Sequence, residues 1–192
     1  METPKMIIIG SSGAGLPILK FIFRRMPRLQ GPIVLVQHMP RYINAAVRDQ
    51  LAGLTDMAVK IADHNERLAP GYLYMAPSET HITLVNNDTI QLKAGEKVNY
   101  VCPSIDVAMM SLVKNPPVRP MGILLSGVGD DGVKGIRHIK KIGGATIALS
   151  TQASTITGMA QEAAATGDVD FVLNPDQIRE KIIEHFGRAK TK

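Results

Sequence analysis

The stretch that most constrains this chain is Met6-Ile7-Ile8-Ile9, followed without a break by Gly10-Ser11-Ser12-Gly13-Ala14-Gly15. Four consecutive apolar residues, three of them β-branched, suit a strand buried on both faces, as strands are inside a parallel sheet. Beyond the glycines, Leu16, Leu19, Phe23 and Met26 recur at helical spacing, so a helix follows. The chain must therefore turn sharply at Gly10, with residues 10–15 pressed between a strand end and a helix start. A side chain presented there has the amides of a helix N-terminus aimed at whatever sits on its oxygen.

Ser12 is the residue that this turn would present. Gly10-Ser11-Ser12-Gly13-Ala14 reads G-x-S-x-A, close to the G-x-S-x-G nucleophile elbow. The same glycines suggest a phosphate loop, but G-x-x-G-x-G is not the dinucleotide fingerprint G-x-G-x-x-G, and no Lys-Ser/Thr follows as in a P-loop. A third reading makes Ser12 a capping residue in a tight turn.

With 192 residues, 45% hydrophobic and 20% charged, the chain reads as one globular domain over 1–187, with 188–192 as a disordered tail. No window is long and apolar enough for a membrane span, and the four apolar residues after Lys5 are too few for a secretory signal. The expected location is the cytoplasm, without membrane insertion. The single cysteine, Cys102, excludes an internal disulfide and reads as a small, partly buried apolar residue rather than a catalytic thiol. The net charge of +5 includes Arg24, Arg25 and Arg28, read as ending the first helix, and Lys140-Lys141 ending another, where cations complement the helix dipole. Without tryptophan or a basic stripe interleaved with aromatics, this charge does not read as a nucleic-acid surface, and it suits an acidic protein partner equally well.

Helical spacing predicts the first helix over 14–28, closed by Gly31-Pro32. Residues 33–36 are a second buried strand ending on Gln37-His38-Met39-Pro40, and 41–51 form the next helix, with Gly53 at its end. Between Met57 and Leu92 the pattern changes to four short alternating stretches at 58–61, 72–75, 81–85 and 89–92. Pro70-Gly71 and Asn86-Asn87-Asp88 are turns between them, which predicts an antiparallel insertion or edge. Ser104 is placed to cap a helix reaching Lys114, Pro116-Pro117 and Pro120 mark a loop, and 121–125 is a third buried strand. That strand runs into Ser126-Gly127-Val128-Gly129-Asp130-Asp131-Gly132 and a helix to Ile142, with Gly143-Gly144 at its end. A strand at 145–149, a helix over 156–166 and an edge strand at 171–173 follow. Asn174-Pro175-Asp176-Gln177 opens the final helix with cap, N1 proline and N3 glutamine in order.

Strands alternating with helices predict a three-layer, doubly wound α/β fold: a mostly parallel sheet with helices on both faces and a small antiparallel hairpin insertion. Such sheets bind ligands outside the carboxyl ends of their strands. Three loops at that edge carry Ser12, His38 and Asp131. A serine hydroxyl needs a base to become a nucleophile, and an imidazole base needs a carboxylate to set its tautomer, so these types in equivalent places predict a hydrolytic triad. The order Ser, His, Asp differs from the Ser, Asp/Glu, His of lipase-type hydrolases. Spacing alone leaves open whether Asp130 or Asp131 faces His38. A metal site built on the same three residues lacks helix-spaced ligands such as H-E-x-x-H. His64, His81, His138 and His185 read as solvated or locally hydrogen-bonded, with His81, just after Pro77-Ser78-Glu79-Thr80, the strongest of the four as a functional candidate.

The blocks IIIGSSGAG, VLVQHMP, LAPGYLYMAP with His81 after it, CPSID, GILLSGVGDDGVKGI, GGATIA and ITGMAQEA occur in that order. Together they cover nearly the whole chain and resemble the catalytic domain of the chemotaxis protein-glutamate methylesterases, the CheB family. The resemblance implies Ser12 as nucleophile, His38 as base and Asp131, the second acid of its pair, as orienting carboxylate. By the same resemblance the backbone amides of Gly13 and Val128 form the oxyanion hole. The implied reaction needs no metal or cofactor. It hydrolyses glutamate γ-methyl esters on the cytoplasmic helices of methylated chemoreceptors, releasing methanol, with deamidation of receptor glutamines as a second activity. Family members usually join this domain to a receiver domain whose phosphorylation relieves inhibition, so a separate or removed receiver domain is a further expected partner.

The chain departs from the family pattern at Gly13-Ala14, where Thr-Gly is usual, and at Val128, which replaces a methionine. It also departs at Cys102, where arginine is common, and at Ser150-Thr151, where Asp-Glu is frequent. The alternative from another class is a catalytically silent, methylesterase-like binding module, and a third option is a nucleotide-binding domain that uses residues 10–15.

Overall fold

The computed structural model describes residues 4–114, 118–156 and 158–187. The loop expected at Pro116-Pro117 and the tail expected at 188–192 lie outside the described residues. The strands are β1 (Lys5–Ser11), β2 (Ile33–Gln37), β3 (Ala58–Ile61), β4 (Tyr72–Met75), β5 (His81–Val85), β6 (Thr89–Lys93), β7 (Arg119–Leu124), β8 (Ala145–Leu149) and β9 (Phe171–Leu173). The helices are α1 (Leu16–Phe23), α2 (Asn44–Ala52), α3 (Ile105–Met110), α4 (Val133–Lys141), α5 (Gly158–Ala165) and α6 (Pro175–Phe186).

Seven strands form one sheet in the order β3-β4-β2-β1-β7-β8-β9, every neighbouring pair parallel. The apolar run at the start of the chain explains why β1 lies at its centre. Side chains alternate across a strand, and here Ile7 and Ile9 join a core with Leu19, Phe23, Leu51 and Ile178 on one face. Met6 and Ile8 join Ile105, Met109, Ile136 and Ile139 on the other. Ile7, Ile8 and Ile9 are fully buried, and each such side chain removed from water stabilises the fold by about 1.5–3 kcal/mol. The expected three layers are present, as is the hairpin: β5 and β6 pair antiparallel around the three residues Asn86, Asn87 and Asp88, the first two with positive φ.

Besides ending the helix capped by Ser104 at Met110 rather than Lys114, the structure corrects two expectations. Of the four alternating stretches between Met57 and Leu92, only the last two form an antiparallel pair; β3 and β4 run parallel to each other and belong to the main sheet, with β4 against β2. Side-chain periodicity carries no information about strand direction, and in the structure neither strand alternates in burial: β3 is half-buried throughout and β4 is buried on both faces over 73–75. The second correction concerns the first helix, which stops at Phe23. Arg24 is extended, Arg25 takes φ 55°, and Pro27 disfavours helical backbone at Met26. The chain there instead pairs across to 54–55 through Arg25 N–H to the Leu54 carbonyl and a parallel bridge from Met26 to Thr55. Arg25 and Arg28 therefore lie outside the helix, Arg24 is its cap, and Lys20 is the basic residue of the last turn. Lys140 and Lys141 do occupy the last turn of α4. Among the described residues, no helix is long and apolar enough to cross a membrane.

Candidate active site

The winding of the sheet reverses at β1: the chain moves from β1 to β2 on one side and returns later to β7 on the other. The carboxyl ends of β1 and β7 are thus the topological switch point, the place where doubly wound folds bind ligands. Ser12 follows β1 directly, His38 follows β2, and 125–132 follow β7.

Backbone hydrogen bonds knit these loops together. Ser11 and Gln37 are register partners, and His38 N–H donates to the Ser11 carbonyl at 2.9 Å. On the opposite side, Ser12 N–H donates to the Ser126 carbonyl at 3.1 Å. Ser12 thus stands between the histidine loop and the loop that leads to Asp131. It has extended backbone and opens a turn of 3₁₀ helix at Gly13–Gly15 that runs into α1, the strand–turn–helix expected from its sequence.

His38 and Asp131 meet: His38 Nε2 and Asp131 Oδ2 are 2.9 Å apart, with 13% and 4% of their side chains exposed. The choice left open between Asp130 and Asp131 is decided by burial, since Asp131 points inward and Asp130 is exposed. The Asp131 carboxylate also accepts from Ser104 Oγ at 2.7 Å, Ile105 N–H at 2.7 Å and Asp106 N–H at 3.1 Å. Burial by itself raises a carboxyl pKa, but the hydrogen bonds from His38, Ile105, Ser104 and Asp106 outweigh it and hold Asp131 below the usual carboxylate range. The carboxylate is therefore ionised and can only accept, so the proton of the shared bond resides on His38 Nε2. The Nδ1 lone pair is left free of that partner.

Ser12 Oγ makes no hydrogen bond to His38 or to any other described residue, and its loop neighbours leave its surroundings open. Gly13 is exposed, a Cβ built on it meets nothing within 4 Å, and Val128 is 78% exposed. No hydrogen bond occupies the Gly13 or Val128 amide among the described residues. Gly127 sits where only glycine fits: a Cβ there would lie 2.8 Å from Ser12 Cβ and would also collide with the Met159 sulfur.

Around the site stand His81, already singled out in the sequence, and two residues that its pattern did not single out, Gln37 and Asp106. His81 is buried and held at both ring nitrogens: its Nδ1 accepts from Ser104 N–H at 3.2 Å and its Nε2 lies 2.9 Å from the Glu96 carbonyl. Gln37, 1% exposed, donates from its side-chain amide to the His38 carbonyl at 3.1 Å and so braces that loop from beneath. Asp106 is buried beside Asp131. The CPSID block contains the signal for it, because a serine cap with an acid two residues on marks a helix start. Ser104 does act as that cap, accepting from Val107 N–H. Cys102 is half-buried, and burial raises its thiol pKa, as suits a residue without a nucleophilic role.

Fold and site define a doubly wound α/β domain whose polar chemistry is concentrated at the carboxyl edge of its parallel sheet. Within that class, the model of the CheB methylesterase family matches residues 7–182, and the chain belongs to that family. The crystal structure of the Thermotoga maritima CheB methylesterase catalytic domain superposes with a TM-score of 0.88 at 31% identity, covering 95% of this chain and 99% of that one. Among curated relatives, a protein-glutamate methylesterase/protein-glutamine glutaminase of Photobacterium profundum is 32% identical over 185 residues, which is 95% of this chain and 53% of the relative. A protein of the same name from Geobacter metallireducens is 35% identical over 174 residues, 89% of this chain and 48% of the relative. The chain thus spans about half the length of the curated relatives it matches.

Proposed function

We propose that this chain is a serine carboxyl-ester hydrolase that demethylates glutamate γ-methyl esters on chemoreceptor cytoplasmic helices, with deamidation of glutamines as a second activity. Ser12 is the nucleophile, His38 the base, Asp131 the carboxylate that orients it, and the Gly13 and Val128 amides the oxyanion donors. The observation that carries this reading is the buried 2.9 Å bond from His38 to Asp131, at the same sheet edge as Ser12.

The chemistry follows from the tautomer. With Nε2–H given to Asp131, Nδ1 is the basic nitrogen and takes the Ser12 proton as Oγ attacks the ester carbonyl. Negative charge moves to the carbonyl oxygen, where the Gly13 and Val128 N–H groups stabilise it. The imidazolium, steadied by ionised Asp131, returns the proton to the departing methoxide and methanol leaves. Water then enters, gives a proton to Nδ1, and attacks the acyl-enzyme; as the intermediate collapses Nδ1 returns that proton to Ser12 Oγ, and the released glutamic acid loses its own proton to solvent. With a glutamine substrate the leaving group is ammonia and the remaining steps are the same.

Exposure supports a protein-borne substrate. Small-molecule sites are enclosed cavities that bury most of their ligand, whereas Gly13 and Val128 stand open to solvent. Two cavities of about 460 Å³, one beside Phe21 and Asn174 and the other over Met110 and Asp106, are lined by none of the three proposed catalytic side chains. An open site suits an ester carried on a protruding helix.

The test is methanol release from methylated receptor membranes by the purified chain and its Ser12→Ala variant. Loss of the nucleophile should lower kcat by on the order of 10⁶, to background. Equal release by both proteins would overturn the reading, in favour of a binding module without catalysis.

A further inference from the structure

Asp131 and Asp106 cap each other's helices. Asp131, one residue before Gly132 and the start of α4, accepts the Ile105 and Asp106 N–H groups at the start of α3. Asp106, in the first turn of α3, accepts Gly132 N–H at 2.9 Å and Gly135 N–H at 2.7 Å at the start of α4. The bonds close a ring: the Asp131 carboxylate to α3, the Asp106 carboxylate to α4, and α4 back to the peptide that carries Asp131. Both carboxylates are 3% exposed. Asn99 Nδ2 donates to the remaining oxygen of Asp106 at 3.0 Å, so every bond that Asp106 makes through its carboxylate is one in which it accepts.

This ring does more than hold two helices together. Two like charges buried side by side oppose folding, and the burial and the Asp131 charge both raise the Asp106 carboxyl pKa. An apolar contact between α3 and α4 would have avoided that cost. The ring does what an apolar contact would not, because it fixes the direction of the Asp131 carboxylate through rigid backbone amides. Gly132, at φ 100°, marks the sharp reversal that the ring clamps, and the same loop carries Val128 four residues earlier.

We propose that Asp106 is a positioning residue for the Ser12–His38–Asp131 centre, holding the turn at Asp131–Gly132 so that Asp131 Oδ2 stays on His38 Nε2. The inference rests on the hydrolase reading above. Among the described residues Asp106 makes no hydrogen bond to His38 or Ser12, so it acts through Asp131.

The test uses Asp106→Ala and Asp106→Asn in the methanol-release assay, alongside the unmutated chain and Ser12→Ala. Asp106→Ala frees the Gly132 and Gly135 amides and lets the Asp131 turn drift. A displacement of this kind, on the scale of 1 Å, should lower kcat by about 10²-fold and leave KM near its original value, since the surface that meets substrate is untouched. Asp106→Asn keeps a carbonyl oxygen for both amides and should recover most of the lost kcat. A proton spectrum adds an independent reading: the downfield imidazole N–H resonance of the His38–Asp131 bond, assigned by its loss in His38→Gln, should weaken in Asp106→Ala and return in Asp106→Asn. If Asp106→Ala does not fold, Asp106→Ser, whose hydroxyl is too short to bridge both amides, carries the same expectation.

Unchanged kcat and an unchanged downfield resonance in a folded variant overturn the proposal, as does a loss expressed wholly in KM. The two levels fail differently. If Ser12→Ala remains active, the hydrolase reading falls and this inference falls with it; if Ser12 is required and Asp106→Ala matches the unmutated chain, only the inference falls.

Discussion

His38 gives its Nε2 proton to Asp131 Oδ2 across 2.9 Å, and this one bond assigns the two faces of the imidazole ring. Nε2 is committed to Asp131, and Nδ1 carries no hydrogen bond among the described residues.

Asp131→Asn tests that assignment. Oδ2 accepts from both His38 and Ile105 N–H, and Oδ1 accepts from both Ser104 Oγ and Asp106 N–H. Either orientation of an asparagine amide therefore sets an NH₂ group against two donors. If NH₂ faces His38, the ring takes the opposite tautomer and Nδ1 carries the proton, which removes the proposed base. Methanol release should show kcat lower by about 10⁴-fold with KM little changed, by the wrong-tautomer effect. The unmet donors should also lower unfolding free energy by about 1–3 kcal/mol in denaturant titrations.

Asp131 also predicts acid sensitivity. Its folded pKa lies below the unfolded value of about 3.9, so the unfolded state binds the proton more readily. The stability it contributes is complete above that unfolded value and is lost as pH falls through the folded one. Denaturation midpoints measured from pH 6 downward should fall below about pH 4 in the unmutated chain. The decline should be shallower in Asp131→Asn, which has no carboxylate to protonate at that position; parallel curves would refute the assignment.

A pair of glycine variants separates the loop that shapes Ser12 from the loop that only exposes it. In Gly127→Ala the new methyl meets Ser12 Cβ at 2.8 Å and the Met159 sulfur, so the loop or the serine must shift. Overpacking of this kind should cost about 1–3 kcal/mol of stability, with a matching loss of methanol release. In Gly13→Ala the methyl enters open space and the backbone needs no positive φ, so thermal melts should stay within about 0.5 kcal/mol of the unmutated chain.

Much of this arrangement could be read in the sequence because its signals are local. The apolar run before Gly10 announced a buried strand, Asn86-Asn87 a tight hairpin turn, and Asn174-Pro175-Asp176-Gln177 a helix start; the last is a complete capping box in the structure. Three strand ends carrying Ser12, His38 and Asp131 were visible for the same reason. The direction of β3 and β4 was not legible, because the period-two pattern of a strand is the same in either orientation. Arg24 and Arg25 continue the helical pattern on paper, yet hydrogen bonding to 54–55 draws the chain out of the helix.

What the sequence alone determined is which residues lie in strands and helices and which polar side chains fall in the turns between them, since propensity, capping and burial periodicity act over a few residues. Spacing left Asp130 and Asp131 equivalent, and only the tertiary structure put the Asp131 carboxylate on His38, His81 under Ser104, and Asp106 and Asp131 on one another's helices. Those relations join positions 23 to 93 residues apart. Their geometry depends on how α3 and α4 pack against the sheet, and that is settled only when both faces of the core close.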